Sequence, residues 1–191
     1  MRVGILGGSF NPAHAGHLQI ARLARTRLRL DQVWLLVTPG NVLKPQAGMA
    51  AFQDRLAAAD GISDGRHIVA TGIEAALRTR YSIDTIIGLQ RRFPRIKFVW
   101  IMGADILEQL PRWHHWMEFA SRIPLVVLPR PSFTYRALAG RAAQRLRHAR
   151  LARSAATKLA GSSAPAWILL LARENPISAS AIRAADEGVV P

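Results

Sequence analysis

The chain has 191 residues, half of them hydrophobic and a fifth charged, with no cysteine and a formal charge of +14. That length suits a single domain spanning 1–191 and argues against two independent catalytic units. Without cysteine, disulfides, thiolate zinc sites and cysteine nucleophiles are excluded together, and a reducing, cytoplasmic setting is expected.

No stretch approaches the roughly 20 apolar residues of a membrane-spanning helix. Met1-Arg2 leads into Val3-Gly4-Ile5-Leu6-Gly7-Gly8, where a signal peptide would carry a long apolar core. The basic residues are nearly all arginine, the lysines being Lys44, Lys97 and Lys158. Such an excess first points to a polyanion, because a basic surface attracts phosphates without sequence-specific contacts.

Short apolar, β-branched runs alternate with longer segments of helical period, which predicts an α/β chain: a Rossmann-like, doubly wound parallel sheet with flanking helices. Strands are expected at 3–6, 32–37, 67–71, 97–102, 125–128 and 167–172. Between the first two lies a helix starting near Gly16, with Ile20, Ala21, Ala24 and Leu28 as its apolar stripe and Arg22, Arg25 and Arg29 on another side. Further helices are expected at 49–62 and 82–92, with Pro and Gly breakers between the periodic segments. From 119 to 173 there is no acid, and arginines stand at 136, 141, 145, 147, 150 and 153. Leu138, Ala142, Leu146 and Ala149 recur at helical spacing there, so the arginines are expected on the solvated side of a helix and need no ligand to explain them.

The most informative segment is Gly7-Gly8-Ser9-Phe10-Asn11-Pro12-Ala13-His14-Ala15-Gly16-His17, directly after the first strand and at the start of the first helix. Paired glycines let backbone approach a ligand closely, a helix N-terminus offers unpaired N–H groups, and two histidines add side-chain donors; together these suit phosphate. The spacing is neither G-x-G-x-x-G nor a Walker A loop. Two histidines three apart can also be metal ligands or core fillers, but no cysteine and no H-E-x-x-H arrangement supports a zinc site, and no protein metal ligands are assigned.

This segment resembles the G-G-[ST]-F-[DN]-P-x-H-x-G-H signature of the nucleotidylyltransferase superfamily, specifically the bacterial nicotinate-nucleotide adenylyltransferases. Three later segments are similar to that family in order and spacing. Tyr81-Ser82-Ile83-Asp84-Thr85 resembles its S-Y-T-x-x-T-L region, with Arg80, Ser82 and Ile86 as departures. Gly103 to Trp116 resembles G-x-D-x-L-x-x-L-P-x-W-x-x-W, and Ile177-Ser178-Ala179-Ser180-Ala181-Ile182-Arg183 resembles I-S-[SA]-T-x-I-R with serine for threonine at 180. The family pattern continues into a further segment beyond that element, so the helix there is expected to be less well supported.

Physical roles are available to each block. Asp105 follows an apolar strand, where an acid can bind a ribose hydroxyl, act toward a metal ion, or cap the following helix. Ser178 and Ser180 precede a short helical stretch, with Arg183 about one turn on, which suits a second anion site or an ordinary cap. Trp113 and Trp116 would share a face if helical; stacking is assigned to Trp113 and packing to Trp116. The resemblance implies that Trp113 packs on a pyridine ring while backbone N–H groups near Ile83 and His114, and the Thr85 region, receive its carboxylate. The loop 38–45 resembles the family's substrate loop but lacks its Pro-Pro-His portion; Asn41 and Lys44 are assigned to substrate there, with Arg55 a weaker phosphate candidate.

The expected reaction joins nicotinate mononucleotide to the AMP portion of ATP. It yields nicotinate adenine dinucleotide and pyrophosphate on the way to NAD, with Mg²⁺ accompanying ATP. His14, His17 and Arg183 are the expected catalytic residues. ATP is expected to be bound by Gly7, Gly8, Ser9, Phe10, His14, His17, Gly103, Asp105, Ile177, Ser178, Ser180 and Arg183. The alternatives are the same chemistry on nicotinamide mononucleotide or another phosphate acceptor such as phosphopantetheine, and a non-catalytic basic nucleic-acid-binding protein. No specific nucleic acid and no membrane partner are expected, and a homo-oligomer is left open.

Overall fold

Six parallel strands and eight α-helices are present in the computed structural model, which describes residues 1–40, 48–130 and 133–170. In chain order the strands are β1 Arg2–Gly8, β2 Gln32–Val37, β3 Ile68–Thr71, β4 Lys97–Gly103, β5 Leu125–Leu128 and β6 Trp167–Leu169. The helices are α1 Ala15–Leu28, α2 Phe52–Gly61, α3 Ile73–Leu77, α4 Ser82–Arg92, α5 Ala104–Gln109, α6 Trp116–Arg122, α7 Thr134–Ala139 and α8 Arg141–Arg145. The sheet order is β3-β2-β1-β4-β5-β6, every pair parallel. The chain winds outward from β1 through β2 to β3, then crosses to β4 on the other side and winds outward again. The reversal falls between β1 and β4, and at such a switch point the carboxyl ends of neighbouring strands open a crevice for ligands.

Both sheet faces are covered, so the strands read as nearly continuous apolar runs. Val3, Ile5, Trp100, Met102, Val127 and Trp167 join one core cluster with Phe119 and the α4 residues Ile86 and Leu89. Leu6, Leu35, Ile101, Val126 and Ile168 join the other with Ala21, Ala24 and Leu28 of α1. Gly4 serves this second face: a Cβ there would lie 2.7 Å from both Ile101 Cδ1 and Leu30 Cδ1. A side chain at Gly4 would therefore require the Ile101 and Leu30 side chains to repack.

The expected strands are all present, with β3 starting one residue late and β6 assigned only to Leu169; residues beyond 170 lie outside the described ones. Two helical expectations need correction. The helix expected at 49–62 begins at Phe52, because residue 50 is engaged by the loop after β1. Its N–H donates to Asn11 Oδ1 at 3.2 Å, and its carbonyl accepts from Arg55 Nε at 3.0 Å. The arginine-rich stretch is not one helix either. Gly140, with extended dihedrals, separates α7 from α8, and a single 3₁₀ turn follows at Arg147–Ala149. The division into buried and solvated positions nevertheless holds: Ala142 and Leu146 are buried, while Arg136, Arg141, Arg145, Arg147, Arg150 and Arg153 are exposed. Trp113 and Trp116 also lie on a turn, Trp113 ending a 3₁₀ helix in extended conformation and Trp116 beginning α6. Among the described residues no helix is long and apolar enough to cross a membrane.

Candidate nucleotide site

The segment from Gly7 to His17 lies at the carboxyl end of β1, at the switch point. Gly7 rests on Trp100 of β4, where a Cβ would lie 2.8 Å from the indole Cζ2, so only glycine allows this backbone to lie flat on the ring. Phe10 turns the chain with φ 49°, and its ring is fully buried, 4.7 Å from the His17 ring. The sequence expectation places Phe10 at ATP; its buried ring cannot stack on a base, which leaves it to shape the loop through its backbone.

α1 is capped by histidine instead of the usual small polar residue. His14 Nδ1 accepts from the Gly16 N–H at 3.1 Å, and the His14 N–H donates to His17 Nδ1 at 3.2 Å, a reciprocal capping box. The two rings lie 3.9 Å apart. Because each Nδ1 accepts a backbone hydrogen, the neutral form of each ring carries its proton on Nε2. The cap thus selects the tautomer that makes Nε2 a donor. Burial lowers the His14 pKa below its ordinary value, and the positive charge of Arg130 lowers it further.

Gly103 ends β4 and Asp105 lies in the first turn of α5. A Cβ at Gly103 would collide with Asp105 Oδ1 and would lie 3.1 Å from Arg130 Cγ and Nε. The Arg130 chain therefore crosses the α-carbon of Gly103, and its Nε comes 3.7 Å from Asp105 Oδ1. Arg130 follows β5 between Pro129 and Pro131, where the sequence alone marks no site residue. Its place at the carboxyl end of a strand beside β4 is the signal that could have found it.

The second half of the cleft forms around α4. Its first helical bond runs from Thr85 N–H to the Tyr81 carbonyl at 3.1 Å, so the amides of Ser82, Ile83 and Asp84 precede the ladder. The Tyr81 ring stacks on His114 at 4.2 Å with 28° between planes, bringing the α4 N-terminus against the Trp113-His114 turn. Trp113 is half-buried, edge-on to Trp100 at 6.0 Å and tilted against Phe119 at 5.3 Å. Trp100 consequently supports both the glycine loop and the aromatic turn. Ile83 has its side chain in the core. Thr85 is wholly buried, its hydroxyl 2.8 Å from that of Thr79 and donating to Glu74 Oε1 at 3.0 Å. The Thr85 side chain thus anchors the start of α4, in the region expected to receive the substrate carboxylate. Burial raises the Glu74 carboxyl above its ordinary value, opposed by the hydroxyls of Thr38 and Thr85.

Arg55, offered from sequence as a phosphate contact, is 2% exposed and turned inward. It donates to the carbonyls of Ala50, Ser9, Thr38 and Pro39 at 2.7 to 3.1 Å, tying the loop after β1 to the end of β2. Asn41, Lys44, Ile177, Ser178, Ser180 and Arg183 lie outside the described residues.

A doubly wound parallel sheet with a glycine-histidine loop at its switch point and an aromatic turn across the cleft defines a nucleotide-binding protein of the nucleotidylyltransferase class. The chain belongs to the cytidylyltransferase-like family, whose model matches residues 5–185, and within it to the nicotinate-nucleotide adenylyltransferases. It is 54% identical over 183 residues to a protein of Gluconobacter oxydans named "Probable nicotinate-nucleotide adenylyltransferase", covering 96% of this chain and 94% of that one. A protein of the same name from Parvibaculum lavamentivorans is 48% identical over 96% of this chain and 91% of its own length. Among solved structures, the nicotinic acid mononucleotide adenylyltransferase of Plasmodium falciparum, complexed with NaAD, shares the fold. The TM-score is 0.67 at 14% identity, covering 95% of this chain and 82% of the other.

Proposed function

We propose that this chain, working as one catalytic domain in the cytoplasm, transfers AMP from ATP to nicotinate mononucleotide, giving nicotinate adenine dinucleotide and pyrophosphate. The observation that carries this reading is the pair of imidazoles whose Nδ1 atoms are held by the α1 cap, leaving Nε2 of each as donor at the switch point. A phosphate monoester of the acceptor attacks the α-phosphorus of ATP. The new oxygen–phosphorus bond forms as the bond to the pyrophosphate oxygen breaks, and that oxygen keeps the electron pair. The attacking phosphate is already anionic at neutral pH, so no general base is required. The protein's work is positioning and stabilising negative charge.

The family resemblance, together with the cap and strand-end geometry of the described residues, supports the following roles. Gly7, Gly8 and Ser9 bring backbone close to the phosphates, and His14 and His17 donate from Nε2. Gly103 and Asp105 face the nucleotide at the end of β4, with Asp105 suited to a ribose hydroxyl. Trp113 stacks on the pyridine ring, and the amides of Ile83 and His114 receive its carboxylate. On the resemblance alone, Lys44 and Arg183 are assigned to the phosphates, Asn41 to substrate, and Ile177, Ser178 and Ser180 to ATP.

Mg²⁺ would accompany the nucleotide, and among the described residues no three His, Asp or Glu side chains converge. Mg²⁺ bound to the ATP phosphates would neutralise their charge.

Pyrophosphate release tests the reading. The wild-type chain is expected to release pyrophosphate from ATP only when nicotinate mononucleotide is present. His17→Ala is expected to lower kcat/KM by about 100- to 1,000-fold, the equivalent of about 2.7–4 kcal/mol, as for loss of one oxyanion donor. Near wild-type turnover by His17→Ala would remove the histidines from the mechanism.

A further inference from the structure

We propose that Glu74 is a positioning residue for the acceptor: its carboxyl, uncharged inside the protein, ties the segment that opens the substrate loop to the first turn of α4, where the acceptor's own carboxylate is received. The inference rests on nicotinate mononucleotide being the acceptor, and adds to that reading a residue that touches no substrate.

Glu74 stands near the start of α3, a helix of five residues, and is only 7% exposed. A closed set of hydrogen bonds joins it to α4. The Thr79 N–H donates to the Glu74 carbonyl at 3.1 Å, the Thr79 and Thr85 hydroxyls lie 2.8 Å apart, and the Thr85 hydroxyl donates to Glu74 Oε1 at 3.0 Å. Thr85 Oγ1 also lies 3.2 Å from the Tyr81 carbonyl, which accepts the first α4 bond. The two helices approach this closely because Gly88 has no side chain: a Cβ there would lie 3.1 Å from Leu77 Cδ1. On its other side Glu74 meets the hydroxyl of Thr38, just past β2, which donates to the Gly40 carbonyl at 2.9 Å. Gly40 leads directly into Asn41 and Lys44, the residues assigned to substrate. One carboxyl thus reaches both segments expected at the acceptor.

This carboxyl has no cation to pair with. None of the ion pairs among the described residues includes it, and the groups that act on it are the hydroxyls of Thr38 and Thr85. Arg78 and Arg80, between α3 and α4, are exposed, as is Asp84 in the first α4 turn. Burying an unpaired charge is costly, so burial raises the carboxyl above its ordinary range and favours the protonated form.

That charge state governs what α4 can hold. The amides of Ser82, Ile83 and Asp84 precede the ladder and carry the positive end of the helix dipole. An ionised carboxyl beside this turn would draw on the same positive end and repel an arriving carboxylate. A protonated one keeps the bond from Thr85 and leaves the amides to the acceptor. Affinity for the acid mononucleotide is therefore greatest while Glu74 holds its proton, and falls as pH rises through its raised value. A ring carrying the neutral amide gains little from the arrangement.

The test compares the full chain with Glu74→Gln and Glu74→Leu, each checked for folding by circular dichroism and thermal melting. Glutamine keeps an uncharged oxygen at the same reach, and leucine keeps apolar bulk without an acceptor. Calorimetric titration with nicotinate mononucleotide, nicotinamide mononucleotide and ATP in turn reads binding without turnover. Glu74→Gln is expected to stay within about threefold of wild type for all three at neutral pH. Glu74→Leu is expected to bind the acid mononucleotide at least about tenfold more weakly, with the amide and ATP within about threefold, and to raise KM for the acid while kcat holds. Above neutral pH, wild-type affinity for the acid should fall further than that of Glu74→Gln, which has no proton to lose there. The infrared carbonyl band of a protonated carboxylic acid should be present in the wild type at neutral pH and missing from Glu74→Gln. A wild type that binds nicotinate mononucleotide yet releases no pyrophosphate would defeat the transfer reading and leave this comparison intact. A folded Glu74→Leu with unchanged affinity for the acid, or with equal losses for acid and amide, would overturn the proposal. So would a wild type that binds neither mononucleotide, a wild type without the band, or parallel pH curves for wild type and Glu74→Gln, and these hold even if Glu74→Leu does not fold.

Discussion

His14 combines two duties that oppose each other in acid. As the cap of α1 it needs an unprotonated Nδ1, and as a phosphate donor it needs hydrogen on Nε2; the neutral Nε2–H tautomer meets both. Its pKa in the folded chain lies below the ordinary 6.5, so in that range the unfolded chain binds protons more readily. The resulting stability is complete above the ordinary value and is lost as pH falls below it toward the folded value. Asparagine caps helices well and does not titrate. Thermal melts of His14→Asn and wild type should therefore differ least near pH 5 and most above about pH 7, the wild type losing more on acidification. Parallel curves would show that the cap does not sense protonation. At this scale the two histidines and Trp113 were legible, because a loop motif keeps its members adjacent in sequence. Arg130 and Arg55 were not, since one is defined by a glycine 27 positions earlier and the other by four carbonyls on three segments.

The elements were legible wherever periodicity and breakers agreed, as at β2 and α4, whose bounds match expectation. They were less so where tertiary contacts decide an end. α2 starts late because Asn11 and Arg55 take the polar groups of residue 50, and the helical period at 138–149 ignores the break at Gly140. Arg55 gives α2 its purpose. From one helix position it ties the loop after β1 to the end of the neighbouring strand β2. Arg55→Ala would leave the carbonyls of Ser9, Thr38, Pro39 and Ala50 without this donor, and is expected to cost about 2–4 kcal/mol in denaturant unfolding. A loss below about 0.5 kcal/mol would show that water replaces the guanidinium without penalty.

Across the whole molecule, alternating strand and helix signals sufficed for a doubly wound sheet, while the strand order depends on crossovers that periodicity does not record. The charge of +14 also resolves at this scale. The arginines of 136–153 are exposed on α7, α8 and the turns after them, while Arg55 is turned inward and Arg130 stands at the nucleotide cleft. A net positive field favours anionic nucleotides from a distance, and the site selects among them by contact. What separates the acid mononucleotide from its amide is whether fixed amides at the α4 N-terminus and the Trp113-His114 turn face a carboxylate. A site built for that charge rejects the neutral ring. The direct measurement is kcat/KM for nicotinate mononucleotide against nicotinamide mononucleotide at saturating ATP, read as pyrophosphate release. A preference of about 100-fold or more for the acid is expected; equal values, or a preference for the amide, would contradict it.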